Sequence, residues 1–232
     1  MKLAVLFDKK LIYANIELEF IFYKSFIMNE TKKQKVLAAA TQVFANKGYH
    51  KATISEIVNA SGFSTGLVYS YFLNKEDIML SIVLEFLKKL NSLNQALVRK
   101  KLEPLKSLRG VLDNIIDLCD KGKGLPLMKV LNESLPQVAA VDNKKLLKKR
   151  TEIYTENATL LLTLDEIIIR GQRLGLFDTD FNPSAIRTIL GGSIRVVLDG
   201  LYYSQYKNMN IGYDTQEARK ALVGLIEKYI KK

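Results

Sequence analysis

The stretch from Thr53 to Phe72, TISEIVNASGFSTGLVYSYF, constrains the fold more than any other part of the chain. A short helix is predicted at its start, because Thr53 is a favoured N-cap and Glu56 follows at the third helical position, as in a capping box. Gly62 provides the turn that ends this helix, since glycine tolerates positive φ. Ser64 then caps a second short helix. This pattern predicts a helix-turn-helix, whose second helix enters the major groove of DNA.

The flanking sequence predicts two further helices around this pair. Residues from Thr31 to Asn46 carry an apolar stripe at helical spacing, and Gly48 ends it. A long helical pattern begins at Lys75, with Asn74 as its N-cap. The sequence therefore predicts three short helices followed by a long one.

Four short motifs in this region carry a family resemblance. They are ANKGY at residues 45–49, TISEI at 53–57, SGFSTGLVY at 61–69 and YFLNKED at 71–77. In this order they resemble the TetR family of transcriptional repressors, over about Thr31 to Leu80. Val58 departs from the alanine that the family often has, and a slightly wider helix pair accommodates it. From about Asn91 onward the chain matches the family only in helical layout.

The resemblance implies an all-α fold with two domains. A three-helix helix-turn-helix DNA-binding domain is expected at residues 28–76, and a helical effector-binding and dimerisation domain at residues 77–232. We interpret residues 1–27 as an over-long gene start, because Met28-Asn29-Glu30-Thr31 suits a regulator of this kind. The alternative is a genuine extension, with a helix such as Leu18 to Phe26 packing on another subunit.

The expected DNA contacts lie on the second helix and around the two helix N-termini. Gly66 lets the backbone lie close to the duplex, and the methyl group of Thr65 suits contact with a thymine methyl. For Tyr71 the sequence supports a DNA contact and a core position equally. Helix N-termini suit phosphate anchoring by Thr53 and Lys75. The full predicted set is His50, Lys51, Thr53, Ser64, Thr65, Gly66, Tyr69, Ser70, Tyr71 and Lys75.

The second helix has few side chains for strong base-specific pairing. No arginine, asparagine or glutamine lies between Ser61 and Leu73, so bidentate readout of guanine or adenine is missing there. Specificity is therefore expected to depend on thymine contacts, DNA shape and half-site spacing. Lys32, Lys33 and Lys35 are candidates for further DNA contacts, with a solvated helix face as the equal alternative.

The second half of the chain has an almost entirely helical pattern without a strand signature. A helix is predicted to begin at Pro104, and a last one at Asp214 or Thr215. Between them the predicted helices are Leu125 to Leu135, Asp142 to Leu174 and Pro183 to about Tyr206.

The helix that begins at Pro183 carries little charge, so it must be covered on several sides. One interpretation is tight internal packing. The family resemblance implies instead a homodimer seam, in which this helix and the last one pair with their copies in a four-helix bundle. The predicted interface residues are Ile186, Ile189, Leu190, Ile194, Val197, Leu222, Leu225 and Ile226.

The resemblance also implies an effector site in the C-terminal half. The middle helices are rich in leucine and isoleucine, which favours an apolar cavity. Arg170 or Arg173 is expected to pair with a carboxylate or phosphate of the effector. The predicted polar contacts are Arg170, Arg173, Asp199, Tyr202 and Tyr203. The alternative is that these residues cap helices or pair with one another.

Composition excludes several other function classes. The chain has 232 residues, a formal net charge of +11, one histidine (His50) and one cysteine (Cys119). No metal site, cofactor, enzymatic nucleophile, nucleotide-binding glycine motif or membrane span is expected, and the single cysteine suits a cytoplasmic protein. The predicted function is a cytoplasmic repressor that binds a palindromic operator as a homodimer. A small apolar or lipid-like effector releases it. A constitutive DNA-binding regulator without an effector is the alternative.

Overall fold

The computed structural model describes residues 31–99, 102–120, 142–207 and 210–229, and the regular secondary structure in these ranges is helical. The predicted all-α fold is thereby confirmed. The helix expected at Leu125 to Leu135 and the interpretation of residues 1–27 lie outside these ranges. In chain order the helices are α1 (31–47), α2 (Ile54–Ser61), α3 (Thr65–Tyr71), α4 (Lys75–Arg99), α5 (Pro104–Asp120), α6 (Leu147–Arg173), α7 (Pro183–Lys207) and α8 (Thr215–Tyr229).

Helices α1 to α3 form the head of the molecule, and local hydrogen bonds define their ends. Thr53 and Glu56 make both bonds of the predicted capping box, at 3.0 and 3.3 Å. Gly62 has φ of 71°, a left-handed conformation that favours glycine. Ser64 Oγ accepts a bond from the Leu67 backbone N–H at 3.3 Å. The predicted helix-turn-helix is therefore present, and Phe44, Ile57, Val68 and Phe72 form its buried core.

Helix α4 connects the head to the rest of the molecule. Asn74 caps it as predicted, because its Oδ1 accepts a bond from the Asp77 N–H at 2.8 Å. The helix has 25 residues and is therefore about 37 Å long. Most of its first three turns is buried, including Asp77 and Ser81. It therefore forms the central support against which α5 and α6 pack.

Helix α6 runs alongside α4 in the same direction. Near its start Lys149 contacts Asp77, in its middle Glu156 contacts Asn91, and near its end Arg170 contacts the carbonyl of Leu102. Helix α6 begins at Leu147 rather than at the predicted Asp142. A turn at residues 144–146 precedes it, because the Leu146 side chain is buried and its N–H donates to the Asn143 carbonyl at 2.9 Å.

Helices α7 and α8 complete the C-terminal half and begin where the sequence predicts. Pro183 is the first residue of α7, and Asn182 Oδ1 accepts a bond from the Ser184 N–H at 2.9 Å. Asp214 and Glu217 form a reciprocal capping box at the start of α8. Helix α7 runs towards the head, so Tyr202 near its end reaches α1. None of the described helices is long and apolar enough to cross a bilayer.

Candidate DNA-reading surface and effector cavity

Helix α3 presents one face to solvent and anchors the other in the head. Val68 and the following Phe72 are buried, whereas most of the predicted contact residues are exposed. The exposed set on this helix and its N-cap is Ser64, Thr65, Gly66, Tyr69 and Ser70. His50, Lys51 and Thr53, in the preceding turn, are also exposed. These predicted contacts therefore remain accessible to a partner.

No described residue packs against Gly66 closely enough to require a glycine there. A Cβ atom built there would meet no other atom within 4 Å, and its φ is not positive. Glycine inside a helix costs about 1 kcal/mol relative to alanine. Room for an external backbone, such as that of a DNA duplex, is a physical reason to have glycine at this exposed position.

The hydroxyl groups of this surface differ in their availability. Ser70 Oγ donates to the Leu67 carbonyl at 2.6 Å, so its proton is already used. The hydroxyls of Thr65 and Tyr69 make no bond to any described residue and can donate to a phosphate. Tyr71 is half-buried and packs against the core, with its ring 6.2 Å from that of Phe72. Its core position therefore outweighs a DNA contact.

Lys75 has a different environment from the one expected of a phosphate anchor. Its ammonium donates to the carbonyls of Tyr49, His50 and Ala52 at 2.8, 3.1 and 2.9 Å. It also lies 4.7 Å from the centre of the Tyr49 ring. Partial burial lowers the pKa of this ammonium. All three of its donors are used, so the side chain holds the turn between α1 and α2 and has none left for a phosphate.

A cavity of about 230 Å³ lies among α4 to α8. Its wall is almost entirely aliphatic and aromatic, apart from two arginines of α7, Arg187 and Arg195. The other lining residues are Phe86, Leu90, Leu108, Val111, Leu112, Ile115, Leu160, Leu161, Leu164, Leu190, Gly191, Ile194, Leu222 and Ile226. The predicted leucine- and isoleucine-rich cavity is therefore present in this arrangement.

The two arginines differ in their partners. Arg187 Nε donates to Asp165 Oδ1 at 2.8 Å, and both side chains are largely buried. Arg195 is exposed and has no acidic partner among the described residues. An apolar cavity with one unpaired guanidinium suits a ligand that has an apolar body and an anionic group.

The structure places none of the five predicted effector residues at this cavity. Arg170 donates to the Leu102 carbonyl at 2.6 Å and to Ser107 Oγ at 3.1 Å, so it ties α6 to the start of α5. The hydroxyl of Tyr202 is buried and donates to the Ala45 carbonyl at 2.9 Å. Arg173, Asp199 and Tyr203 also lie outside the cavity wall. Arg170 and Tyr202 instead connect helices through these bonds, and neither pairs with another residue of the predicted set.

The sequence contains a signal that would have found the two cavity arginines. Arg187 and Arg195 are eight residues apart, and Leu190, Gly191 and Ile194 lie between them at helical spacing. Arginines two turns apart on an apolar helix face therefore share that face. The prediction did not include them, because the sequence does not show which face of this helix meets the cavity.

The predicted interface residues fall into two groups. Ile186, Leu222 and Ile226 are buried inside the chain, and Leu190 and Ile194 line the cavity, so these five already have an internal role. Val197 packs against the core. Ile189 and Leu225 are exposed, by 69% and 43%, together with Phe181 and Val196, which were not predicted. We call Phe181, Ile189, Val196 and Leu225 the exposed apolar strip.

The part of the chain that the structure describes contains no cluster of three or more histidine, cysteine, aspartate or glutamate side chains that could hold a metal ion.

Comparisons with known proteins find similarity to bacterial regulators. A family model described as "Bacterial regulatory proteins, tetR family" matches residues 36–82. The "Fatty acid metabolism regulator protein" of Bacillus subtilis is 41% identical over 54 residues, which span 23% of this chain and 28% of that regulator. The "Uncharacterized HTH-type transcriptional regulator YdgC" of the same organism is 25% identical over 76% of this chain and 84% of its own length. A solved structure of FadR from Bacillus subtilis in complex with stearoyl-CoA superimposes with a TM-score of 0.64 at 23% identity. It covers 84% of this chain and 97% of that one.

Proposed function

The chain belongs to the TetR family of bacterial regulatory proteins, and from that premise we propose that it is a ligand-responsive repressor that binds a palindromic operator as a homodimer. The observation that carries the proposal is the exposed face of α3 around Gly66. This face lies on a capped helix, and no described residue of its own chain covers the glycine. A regulator whose recognition helix must approach DNA closely needs such a face.

In this proposal residues 28–76 are the DNA-binding domain and residues 77–232 the effector-binding and dimerisation domain. Ser64, Thr65, Gly66 and Tyr69 meet the major groove. His50, Lys51 and Thr53 lie beside the phosphate backbone. The relatives are regulators, and enzymatic activity is not proposed. A cytoplasmic location follows from the need to reach chromosomal DNA.

The proposed homodimer uses the exposed apolar strip. Its four large apolar side chains stand on α7, on α8 and on the loop before α7, so two copies can cover one another. A palindromic operator requires two heads related by two-fold symmetry at a set spacing. The strip therefore replaces the larger set of interface residues that the sequence predicted.

The proposed effector is a small apolar anion. The cavity supplies an aliphatic wall, and Arg195 supplies a cation without an acidic partner among the described residues. A FadR structure similar to this one is described in complex with stearoyl-CoA. Fatty acids and their thioesters are therefore the first compounds to test. This assignment keeps the predicted lipid-like effector and moves its polar contact to Arg195, away from the predicted set of Arg170, Arg173, Asp199, Tyr202 and Tyr203.

Two polar links between the cavity helices and the head supply a route for release. Tyr202 of α7 donates to the carbonyl of Ala45 at the end of α1. Lys149 of α6 contacts the buried Asp77, whose other oxygen accepts from the Leu73 N–H at 2.9 Å, directly after the recognition helix. A ligand that separates α6 from α7 shifts both links. The spacing of the two heads then no longer matches successive major grooves.

Duplex selection and ligand binding together test the proposal. The protein is used to select duplexes from a random pool, and its melting temperature is then measured with fatty acids, their thioesters and alcohols of equal chain length. We expect a palindromic selected sequence, a rise in melting temperature with the anions, and release of the duplex by the same compounds. The alcohols are matched controls for the apolar body alone.

The outcomes separate the proposal from its alternative. If the protein selects no duplex, DNA binding is refuted. If it selects one but no anion or other compound in the panel releases it, the constitutive regulator is favoured. An Arg195→Gln variant that still prefers the acid over the alcohol would refute the role of this arginine.

A further inference from the structure

The turn before α6 lies at the same end of the molecule as the DNA-reading surface. Helices α4 and α6 run in the same direction, and Lys149, in the first turn of α6, contacts Asp77 in the first turn of α4. Burial raises the pKa of Glu76, and the carboxylates of Asp142 and Asp77 raise it further. Asp142 therefore lies near the beginning of α4, which directly follows α3.

The turn is held in place by its own contacts. Leu146 is buried and anchors it, while Asn143 Oδ1 accepts a bond from the Lys145 N–H at 3.0 Å. Lys144 and Lys145 are exposed on this anchored turn. Neither ammonium pairs with an acid among the described residues. Because the backbone of this turn is fixed, the flexible lysine side chains place their ammonium groups within a limited volume.

The two exposed lysines of this turn balance the two unpaired acids that lie near it. Asp77 is already paired with Lys149, so the acids that remain nearby are Glu76 and Asp142. Lys148 is exposed as well, but it lines a groove with Lys88 and Glu152 farther along α4. Lys144 and Lys145 are therefore cations near the start of α4 that have no acidic partner among the described residues.

We propose that Lys144 and Lys145 form a second DNA contact, to backbone phosphates beside the groove that α3 enters. A duplex against α3 brings phosphates to both edges of that groove. The start of α4 lies at one edge, and this turn lies against the start of α4. The contact rests on the proposed DNA binding and adds affinity without reading sequence.

The position of the turn also makes this contact sensitive to the effector. The turn leads directly into α6, and Leu160, Leu161 and Leu164 of that helix line the cavity. A ligand that displaces α6 therefore moves the lysines away from the phosphates while it shifts the head. The second contact then contributes to release as well as to affinity.

The competing interpretation is a pair of solvated lysines, and the salt dependence of DNA binding separates the two. The test variant is Lys144→Ala/Lys145→Ala. The matched control is Arg99→Ala/Lys106→Ala, which removes the same charge from exposed positions at the opposite end of α4. The probe is the duplex that the unaltered protein selects from a random pool, and affinity is measured at several salt concentrations.

For the test variant we expect the slope of log affinity against log salt to fall by about 1.8, which is about 0.9 for each lost phosphate contact. The control is expected to keep the unaltered slope. Both variants are expected to keep the melting temperature, because all four side chains are exposed. Lys144→Arg/Lys145→Arg is expected to restore the slope, since arginine also binds phosphate.

Each other outcome has a definite meaning. An unchanged slope in the test variant, or an equal fall in test and control variants, overturns the second contact and leaves operator binding intact. If the unaltered protein selects no duplex, the proposed function itself fails. If the test variant melts at a lower temperature than the unaltered protein, Lys144→Arg/Lys145→Arg takes its place in the comparison. A salt slope that stays low in this arginine variant also overturns the contact.

Discussion

The head and the C-terminal half of this molecule are both helical, but the hydrogen bonds that stabilise them span very different distances along the chain. In the head, the capping box joins residues three positions apart, and Gly62 and Ser64 act within one turn. In the C-terminal half, Tyr202 bonds to Ala45 across 157 positions, and Arg219 bonds to Asp117 across 102. The head is therefore specified locally, whereas the second half depends on which helices meet.

The two regions also differ in how completely they are packed. Phe44, Ile57 and Val68 close the core of the head, whereas α4 to α8 surround a cavity of about 230 Å³. Close-packed interiors gain dispersion contacts that a void lacks. A protein that keeps an apolar cavity gives up part of that stabilisation. This difference suits a rigid reading head coupled to a half that a ligand can rearrange.

The largest expected effect compares two phenylalanines, one in each region. Phe44→Ala is expected to destabilise the protein by about 3–5 kcal/mol, because it opens a void in a filled core. Phe86→Ala is expected to cost clearly less, since Phe86 is only partly buried and already borders the cavity. Urea unfolding of both variants measures the difference. Equal losses would contradict the contrast in packing.

The second prediction separates stability from DNA binding at Gly66. Gly66→Ala is expected to stabilise the protein by up to about 1 kcal/mol, since the added methyl group meets no described residue. The same change is expected to weaken DNA binding by about 1–3 kcal/mol, comparable to a mismatched base pair. Gly66→Leu is expected to abolish detectable binding while it keeps the fold. Melting curves and gel shifts of both variants provide the measurement, and unaltered binding by Gly66→Leu would refute close approach.

The third prediction concerns the link between the two regions. Tyr202→Phe is expected to cost about 1–2 kcal/mol, because the Ala45 carbonyl loses its buried donor. It is also expected to weaken the release of DNA by ligand, since one of the two links is removed. Tyr203→Phe is the matched control, because Tyr203 is adjacent but exposed by 43%. If both changes had similar effects on stability and on DNA release, the bond from Tyr202 to the Ala45 carbonyl would not be the cause.

The smallest expected effect lies within the head and depends on pH. The bond from Lys47 lowers the pKa of Glu56 most, and the backbone N–H of Thr53 lowers it further. A carboxylate with a depressed pKa stabilises the folded state above its unfolded pKa, and this contribution is lost as pH falls below about 4.3. Glu56→Gln should therefore remove a small part of the fall in melting temperature between pH 5 and pH 3. The same acid sensitivity in both proteins would contradict this assignment.

The success of the sequence predictions follows the same division. The caps at Thr53, Ser64 and Asn74 were predictable because each bond lies within four residues. The cavity arginines were missed although their spacing was visible, because the sequence does not show which face of α7 meets the cavity. Lys75 was predicted to anchor a phosphate because it lies at a helix N-terminus. Its three carbonyl partners lie 23 to 26 positions away in sequence, so their bonds could not be foreseen.

What the amino-acid sequence determined by itself is the all-helical fold, the ends of most helices and the surface of α3 that faces outward. These features depend on backbone conformation and on hydrogen bonds between near neighbours, which residue type controls directly. Only the tertiary structure decided which apolar residues of α7 and α8 are internal, which form the exposed apolar strip, and that Lys144 and Lys145 stand at the head end. Those outcomes depend on how the helices pack against one another. An apolar helix face can pack equally well against several apolar partners, and only the complete fold selects one of them.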